Sequence, residues 1–390
     1  MFEEKIVIEV RKAGFINKGA QLMLLSVLDQ IRIRNPHLII AVAPGRDSPY
    51  LKRAKLGLYQ KPTYFRYGIQ FAKIFIFIPL FVRKMLGIVL DHEVDIVLDA
   101  AGLAYTDKWG THHISELAYY SKIWKKNGTK VVLLPQAFGP FENGKNKKNM
   151  CFIMNNIDLV FARDRISHNY LSSISDTHNS LSLSPDFTNL LIPNNFHEQN
   201  AYKEKICIIP NARMIDMTED TVSQGYVKFM KSIVGKLLER GESVFFLNHE
   251  GYADELIAKE ICNGFSEVIP LISPDDPLEI KAIIGSSKAV VGSRFHGLVS
   301  ALSQDVPSLA LGWSHKYEML FEDYECENLI LHVGSSQHEI ELGLDNILKP
   351  VLRNKLISKL NFRSSILKRQ SQEMWDRVFS FLDATCMKSD

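Results

Sequence analysis

The sequence predicts an α/β protein made of two doubly wound, Rossmann-type domains. Three observations predict it. Short apolar runs such as Val131-Val132-Leu133-Leu134 and Val244-Phe245-Phe246-Leu247 recur along the chain. Stretches of helical length lie between them, which means parallel strands joined by crossover helices. The pattern also pauses and restarts. At 390 residues the chain exceeds one ordinary core, and two domains of roughly 150–200 residues each fit that length.

The first domain is placed at residues 1–195. It opens with a strand, Lys5–Val10, a glycine-containing loop from Gly14 to Gly19, and a buried helix from Ala20 to Leu28. Further strands follow at His37–Val42, at Asp95–Asp99, at Lys130–Leu134 closed by Pro135, and at Leu159–Ala162, with Glu116–Lys126 helical. The polar, turn-rich stretch Ile192–Asn200 reads as a linker. The second domain, residues 205–350, repeats the alternation. Its strands are Lys205–Ile209, Ser243–Leu247, a short Val268–Leu271, Ala289–Val291 and Ser308–Leu311. Its helices are Val227–Arg240, Pro277–Ser286 and Gly297–Ser303. The tail, residues 351–390, carries an amphipathic helix over Leu356–Leu382. No internal repeat or low-complexity tract appears. Two such domains in tandem are expected to bring the carboxyl ends of both sheets to a shared cleft. Ligands of doubly wound sheets bind outside those ends, so the chemistry belongs on the loops that follow strands.

Composition narrows the function. The chain is 46% hydrophobic and 23% charged, enough for two cores and too apolar for disorder. Its 46 basic and 44 acidic residues leave a net charge of +2, which argues against a nucleic-acid-binding face. The five cysteines, Cys151, Cys207, Cys262, Cys326 and Cys386, are scattered without CxxC spacing. That fits a reducing compartment, the cytoplasm, and argues against a zinc site or a disulfide framework. Met1–Lys5 carries two acids and no apolar core, unlike a signal peptide.

The segment Tyr64–Leu90 stands apart. Its apolar run, Ile74–Val82, falls far short of the roughly 20 residues that span a bilayer. Arg53, Lys55, Lys61, Arg66, Lys73, Arg83 and Lys84 flank it. Two readings stand: a core helix kinked near Pro79, or a surface helix touching the inner face of the membrane or a lipid-linked substrate.

Among the loops, Gly292-Ser293-Arg294-Phe295-His296-Gly297 is the most informative, since it ends a strand and opens a helix. Backbone N–H groups at a helix start attract anions, and an arginine there can clasp a carboxylate or phosphate by two bonds. His296, two residues on, can give or take a proton at neutral pH. The competing reading is a structural salt bridge at Arg294 and a buried, satisfied His296. Arg163 follows the strand at Leu159–Ala162 and is a second anion contact, or else a local ion pair beside a helix capped by Asp164 or Ser167. Asn17 and Gly19 precede a helix, without a GxGxxG fingerprint. Asp99 either faces the cleft as a base or caps a turn. The loop from Leu134 to Phe141, with Gln136 and Gly139-Pro140, has a constrained backbone. Pro185-Asp186 and Asn248-His249-Glu250 are weaker candidates. His112 and His113 are adjacent rather than spaced for a shared metal, and no metal site, GxSxG elbow or P-loop is found.

Taken in order, these loops resemble the polysaccharide pyruvyl transferase family. The matching points are Asn17-x-Gly19-Ala20, Asp99 with Gly102, Pro135-Gln136 with Gly139-Pro140-Phe141, Ala162-Arg163-Asp164 with Ser167, Pro185-Asp186, and Gly292-x-Arg294-x-His296-Gly297, continued by Val306-Pro307 and Lys316. They cover about Lys5 to Tyr324. The sequence departs at Ala100-Ala101-Gly102, where two adjacent glycines are usual, and at Ala20, where an acid often follows the glycine. The resemblance implies a GT-B-like fold with two Rossmann-type domains facing across a cleft. It also implies transfer of a pyruvyl group from phosphoenolpyruvate to a sugar, as a cyclic ketal on two hydroxyls, with no cofactor. On this mapping Arg163 and Arg294 hold the donor's phosphate and carboxylate, and His296 is the acid toward the enol carbon or the base toward the sugar. Asn17, Gly19, Gln136, Ser293, Gly297 and Lys316 line the substrates, and Asp99 assists catalysis. The acceptor is a cell-surface polysaccharide or its lipid-linked precursor. Two other functions were weighed: a nucleotide-sugar-dependent glycosyltransferase of the same fold, and a non-catalytic scaffold in glycan assembly.

Overall fold

The computed structural model describes residues 6–67, 69–174, 180–193, 201–312 and 314–386. The chain divides into two compact units, Met1–Phe187 with Gln370–Asp390, and Thr188–Arg369. The unit boundary therefore falls just before the expected linker, whose residues 194–200 lie outside the described residues, as do residues 1–5. The tail is a single helix, Pro350–Cys386, and the division between the units passes through it.

The strands, in chain order, are β1 (Val7–Arg11), β2 (Ile39–Val42), β3 (Tyr59–Gln60), β4 (Phe65–Arg66), β5 (Ile69–Gln70), β6 (Ile96–Asp99), β7 (Lys130–Gln136), β8 (Leu159–Ala162), β9 (Leu181–Leu183), β10 (Lys205–Ile209), β11 (Ser243–Leu247), β12 (Leu271–Ile272), β13 (Ala289–Gly292), β14 (Ser308–Leu311) and β15 (Ile330–Leu331). In the first unit a seven-stranded parallel sheet runs β3-β2-β1-β6-β7-β8-β9. In the second, a six-stranded parallel sheet runs β12-β11-β10-β13-β14-β15. Both are doubly wound, and strand order reverses between β1 and β6 and between β10 and β13. The small hairpin β4-β5 is separate from both sheets.

Burial explains the apolar runs. In the second unit Ile206 and Ile208 point into one core with Val244, Phe246 and Val291, while Cys207 and Ile209 point into another with Phe245, Leu247 and Val290. A parallel sheet covered on both faces needs apolar side chains at successive positions, and these strands have them. Pro135 stands inside β7, and the register with β8 shifts between Leu133 and Gln136. A proline has no N–H to give the ladder, so the irregularity falls where it must.

One face of the first sheet buries charge. At the end of β1, Arg11 donates to Glu9 at 3.4 Å and to Glu116 at 3.2 Å, and lies over the rings of Tyr120 and Trp124 at 4.5 and 5.0 Å. Lys12 donates to the other Glu116 oxygen at 2.7 Å. Lys61, also buried, sits 3.3 Å from Glu9 and 2.5 Å from Asp91. Burial alone pushes the Glu116 carboxyl up, but Arg11 and Lys12 outweigh it and bring it down to about 2.

The loop after β7 returns across the strand ends. The Phe138 N–H donates to Ser167 Oγ at 2.9 Å, and the Gly139 N–H to the Tyr105 carbonyl at 2.9 Å. Gly139 has φ +74°, and a Cβ there would lie 2.6 Å from the Tyr170 ring. The segment from 64 to 90 is neither a kinked helix nor a core helix. It forms the β4-β5 hairpin, a 3-10 helix at Phe71–Phe77 and a short helix at Leu80–Met85, with Pro79 as the N-cap between them. Most of its large apolar side chains are exposed.

Two outcomes are expected. Gly139→Ala should cost about 2–4 kcal/mol in chemical denaturation, from left-handed backbone strain and overpacking against Tyr170; a loss below about 1 kcal/mol would contradict this packing. Glu116 has a depressed pKa in the folded chain, so its contribution is complete above the ordinary carboxylate range and is lost as pH falls toward 2. Glu116→Gln should therefore be less stable near neutral pH by on the order of 3 kcal/mol. That gap should fall to under half near pH ~3, and a pH-independent gap would refute the charge network.

Candidate functional site

In the second unit the site is built where strand order reverses, at the carboxyl ends of β10 and β13. β13 ends at Gly292, and the N–H of Ser293 makes one more bond to the Ile209 carbonyl, at 2.9 Å. Ser293 is fully buried. Its hydroxyl accepts from Tyr226 Oη at 2.9 Å, and its carbonyl accepts from Asn211 Nδ2 at 2.6 Å and Tyr317 Oη at 2.7 Å. Burial pushes the Tyr226 phenol up to about 12, so it stays a donor. Ser293 thus ties the loop after β10, and the helices that carry Tyr226 and Tyr317, to the end of β13.

Arg294 is the N-cap residue of the helix Phe295–Leu302. Its guanidinium is largely buried. Nε donates to Asp254 Oδ2 at 2.7 Å, Nη2 donates to Asp254 Oδ1 at 2.5 Å, and Nη1 donates to Glu250. Burial works against this charge, but Asp254 and Glu250 more than offset it and hold the guanidinium above its ordinary pKa. Asp254 Oδ1 also accepts from the Ala212 N–H at 2.9 Å, which ties the loop after β10 to the helix Tyr252–Cys262. One cation thus faces two carboxylates, Asp254 inside and Glu250 nearer the surface, with side chains 1% and 20% exposed. The structural salt bridge weighed from sequence is present.

His296 follows in the first helical turn, partly exposed, its ring edge-on to Phe295 at 5.4 Å. Gly297 lets that turn approach β10: a Cβ there would lie 3.1 Å from Ile209 Cδ1 and 3.5 Å from His249 Cδ2. Lys316, in the first turn of the helix His315–Asp323, places Nζ 5.2 Å from the Phe295 ring centre. Arg294, His296, Gly297 and Lys316 are therefore brought together, with His249, Glu250 and Asp254 beside them.

The first unit has its own strand-end group, between β1 and β6. Asn17 caps the helix Lys18–Arg34, accepting from the Ala20 N–H at 3.0 Å, and is exposed; Gly19 is buried in the first turn. Asp99 is fully buried. Its carboxylate accepts from the Ala101 N–H at 3.2 Å, Tyr105 Oη at 2.6 Å and Gln136 Nε2 at 3.3 Å. With those donors taken and no exposure, Asp99 caps its turn and orients Gln136 rather than acting as a base on a hydroxyl. Gln136 is equally buried, and its backbone carbonyl accepts from the Arg163 N–H at 2.9 Å. Arg163 pairs with Asp186 at 3.2 Å, both buried, while Asp164 caps the next helix through the Ser167 N–H at 2.7 Å.

Sequence reasoning missed Arg11, Lys12 and Glu116 in this unit and Asp254 and Asn211 in the other. The basic pair directly after β1 was the available signal; Asp254 lies in a helix that the pattern did not reveal. Lys12 Nζ lies 3.4 Å from His113 Nδ1. Burial first, and Lys12 next, lower the His113 pKa, so this imidazole favours its neutral form. Among the described residues no group of three or more His, Cys, Asp or Glu side chains is placed to hold a metal ion.

Solved structures of the same fold are numerous. The chain matches an S. aureus MnaA–UDP co-structure at TM-score 0.60 with 12% identity, over 97% of both chains. It matches UDP-GlcNAc 2-epimerase from Neisseria meningitidis bound to UDP-GlcNAc at TM-score 0.58 with 12% identity, over 96% of this chain and 100% of that one. A glycosyltransferase from Rickettsia africae ESF-5 matches at TM-score 0.58 with 14% identity, over 96% and 99%. At such identities the likeness establishes the fold alone, GT-B-like with two Rossmann-like domains. The family model for polysaccharide pyruvyl transferase matches residues 17–315, a span that runs from Asn17 through Asp99, Arg163, Arg294 and His296 and ends one residue before Lys316. This chain belongs to the polysaccharide pyruvyl transferase family of enzymes.

Proposed function

We propose that the enzyme moves the pyruvyl group of phosphoenolpyruvate onto two hydroxyls of one sugar, in a cell-surface polysaccharide or its lipid-linked precursor, and forms a cyclic ketal. The observation that carries this reading is the turn from β13 into its helix. There a guanidinium, a helix N-terminus and an imidazole occupy consecutive positions in a chain of this family. The free thiols at Cys151, Cys207, Cys262 and Cys326 suit a reducing cytoplasm, where we place the reaction.

Phosphoenolpyruvate presents a phosphate and a carboxylate on three carbons. Arg294 and Lys316, brought together in the second unit, supply charge for them. Protonation of the methylene carbon gives the adjacent carbon positive character. One sugar hydroxyl adds there, inorganic phosphate leaves, and the second hydroxyl closes the ketal. Of the two hydroxyl protons, one replaces the proton given to the methylene carbon and the other departs with phosphate. His296 is the proton-transfer residue, and one imidazole can serve as acid toward carbon and then as base toward oxygen. Because Arg294 already holds two carboxylates, donor binding is an exchange in which the outer partner, Glu250, gives way and Asp254 keeps the guanidinium oriented.

A second reading, nucleotide-sugar-dependent glycosyl transfer, is favoured by the UDP named in the co-structure of like fold. Thermal-shift titration with phosphoenolpyruvate and with UDP-sugars separates the two, since stabilisation by UDP-sugars alone would overturn the pyruvyl reading. The direct assay is phosphate release, and an acid-labile ketal, from phosphoenolpyruvate and a panel of sugar acceptors. Arg294→Ala should weaken phosphoenolpyruvate binding by about tenfold to a hundredfold, the worth of one charge-assisted contact. Glu250→Gln should bind the donor several-fold more tightly; weaker binding would refute the exchange. His296→Ala should lower turnover with little change in donor affinity, and an unaltered kcat would remove His296 from the proton transfers.

A further inference from the structure

Residues 48–90 contain eight lysines and arginines and not one aspartate or glutamate, between Asp47 and Asp91. The segment is also inverted relative to an ordinary surface element. Apart from Leu58 and the closing run Ile88-Val89-Leu90, its buried side chains are polar or small. Arg53, Lys61, Gln70, Ala72 and Arg83 are buried, Arg83 paired with Glu93 at 2.6 Å and Gln70 donating to Tyr120 Oη. Its outward side chains are apolar: Phe77 is 84% exposed, Met85 80%, Ile74 and Phe81 67%, Leu86 55% and Leu80 52%. Lys52, Lys55, Arg66, Lys73 and Lys84 are exposed on the same segment. Contiguous exposed apolar surface of this kind, on a segment anchored from beneath by ion pairs and hydrogen bonds, marks a contact face. Among the described residues no helix is long and apolar enough to cross a membrane, so this face suits lying on a surface rather than spanning it.

We propose that residues 64–86 seat the protein on an anionic lipid bilayer. Phe77, Phe81, Ile74 and Met85 enter the boundary between headgroups and acyl chains, and the five exposed basic side chains meet lipid phosphates. The occupant follows from charge complementarity. An apolar surface with basic neighbours and no acid in 43 consecutive residues matches a negatively charged, amphipathic partner. A second copy of the same face would set like charges against each other.

The test is flotation of the full chain with vesicles of phosphatidylcholine alone or with added phosphatidylglycerol. Binding should require the anionic lipid and weaken in high salt. Lys52→Glu with Lys73→Glu should reduce partitioning by about fivefold or more per residue. Phe77→Ser with Phe81→Ser should reduce it by about tenfold or more, with the melting temperature unchanged because both rings are exposed. Phe77→Trp should show a blue-shifted emission quenched by brominated lipid. Failure of the wild-type chain to float with anionic vesicles would overturn the proposal. So would equal flotation of the serine variant, or a solution dimer that this variant dissociates while no vesicle binding is seen. Phosphoenolpyruvate binding is measured separately, so failure here leaves the donor reading standing.

Discussion

A guanidinium with almost no contact to water has to be neutralised where it lies, because an unpaired buried charge costs several kcal/mol, on the order of 3–5. The second unit is organised around that constraint. Arg294 stands at the end of a central strand, and Asp254 Oδ1 reaches its Nη2 from the helix after β11. The same Asp254 oxygen holds the N–H of Ala212 in a third loop. Ser293 then gathers Asn211, Tyr226 and Tyr317 around the neighbouring peptide. Three strand ends and three helices are located by one arginine and the serine before it. The first unit meets the same constraint independently, with Arg11 between Glu9 and Glu116 and Arg163 against Asp186. Charge at a strand end, countered from a neighbouring element, is the common device of both sheets.

This arrangement changes how the arginines relate to a ligand. An open guanidinium captures an anion; a paired one exchanges partners. The inner carboxylate fixes the direction of the fork, and the outer one decides what it costs to enter. On the exchange proposed above, a ligand with two acidic groups is favoured over one with a single charge, because the second group recovers what displacing Glu250 costs.

The fold was legible in the sequence where elements were long and buried. β1, β2, β6, β7 and β8, and β10, β11, β13 and β14, all appear as apolar runs, because strands covered on both faces need apolar side chains at successive positions and their short length separates them from helices. The strands that escaped were β3, β9 and β15, at sheet edges, and the β4-β5 hairpin, all of two or three residues and too short to carry a pattern. The helix Tyr252–Cys262 escaped because Asp254 occupies a position on its buried side, where a hydrophobe was expected. The site was legible as far as Arg294, His296 and Lys316. Glu250 stood only as a weaker candidate and Asp254 not at all, because the residues neutralising Arg294 are 40 and 44 positions away and become neighbours only through sheet topology. Asp99 and Ser293 show the converse: residues that stand in a motif, yet whose side chains are used up by the protein itself. The segment after β3 was ambiguous for a different reason, since an apolar run reads alike whether it faces inward or outward.

The lack of any acid between residues 48 and 90 has a consequence for how the chain assembles. Lys61 and Arg83 are buried, yet their counter-charges, Glu9, Asp91 and Glu93, all belong to neighbouring parts of the chain. Glu9 becomes available in its final place only when β1 has joined the sheet. The segment has no internal way to neutralise what it buries, so its seating depends on β1 and on the turn at Asp91–Glu93 being in place.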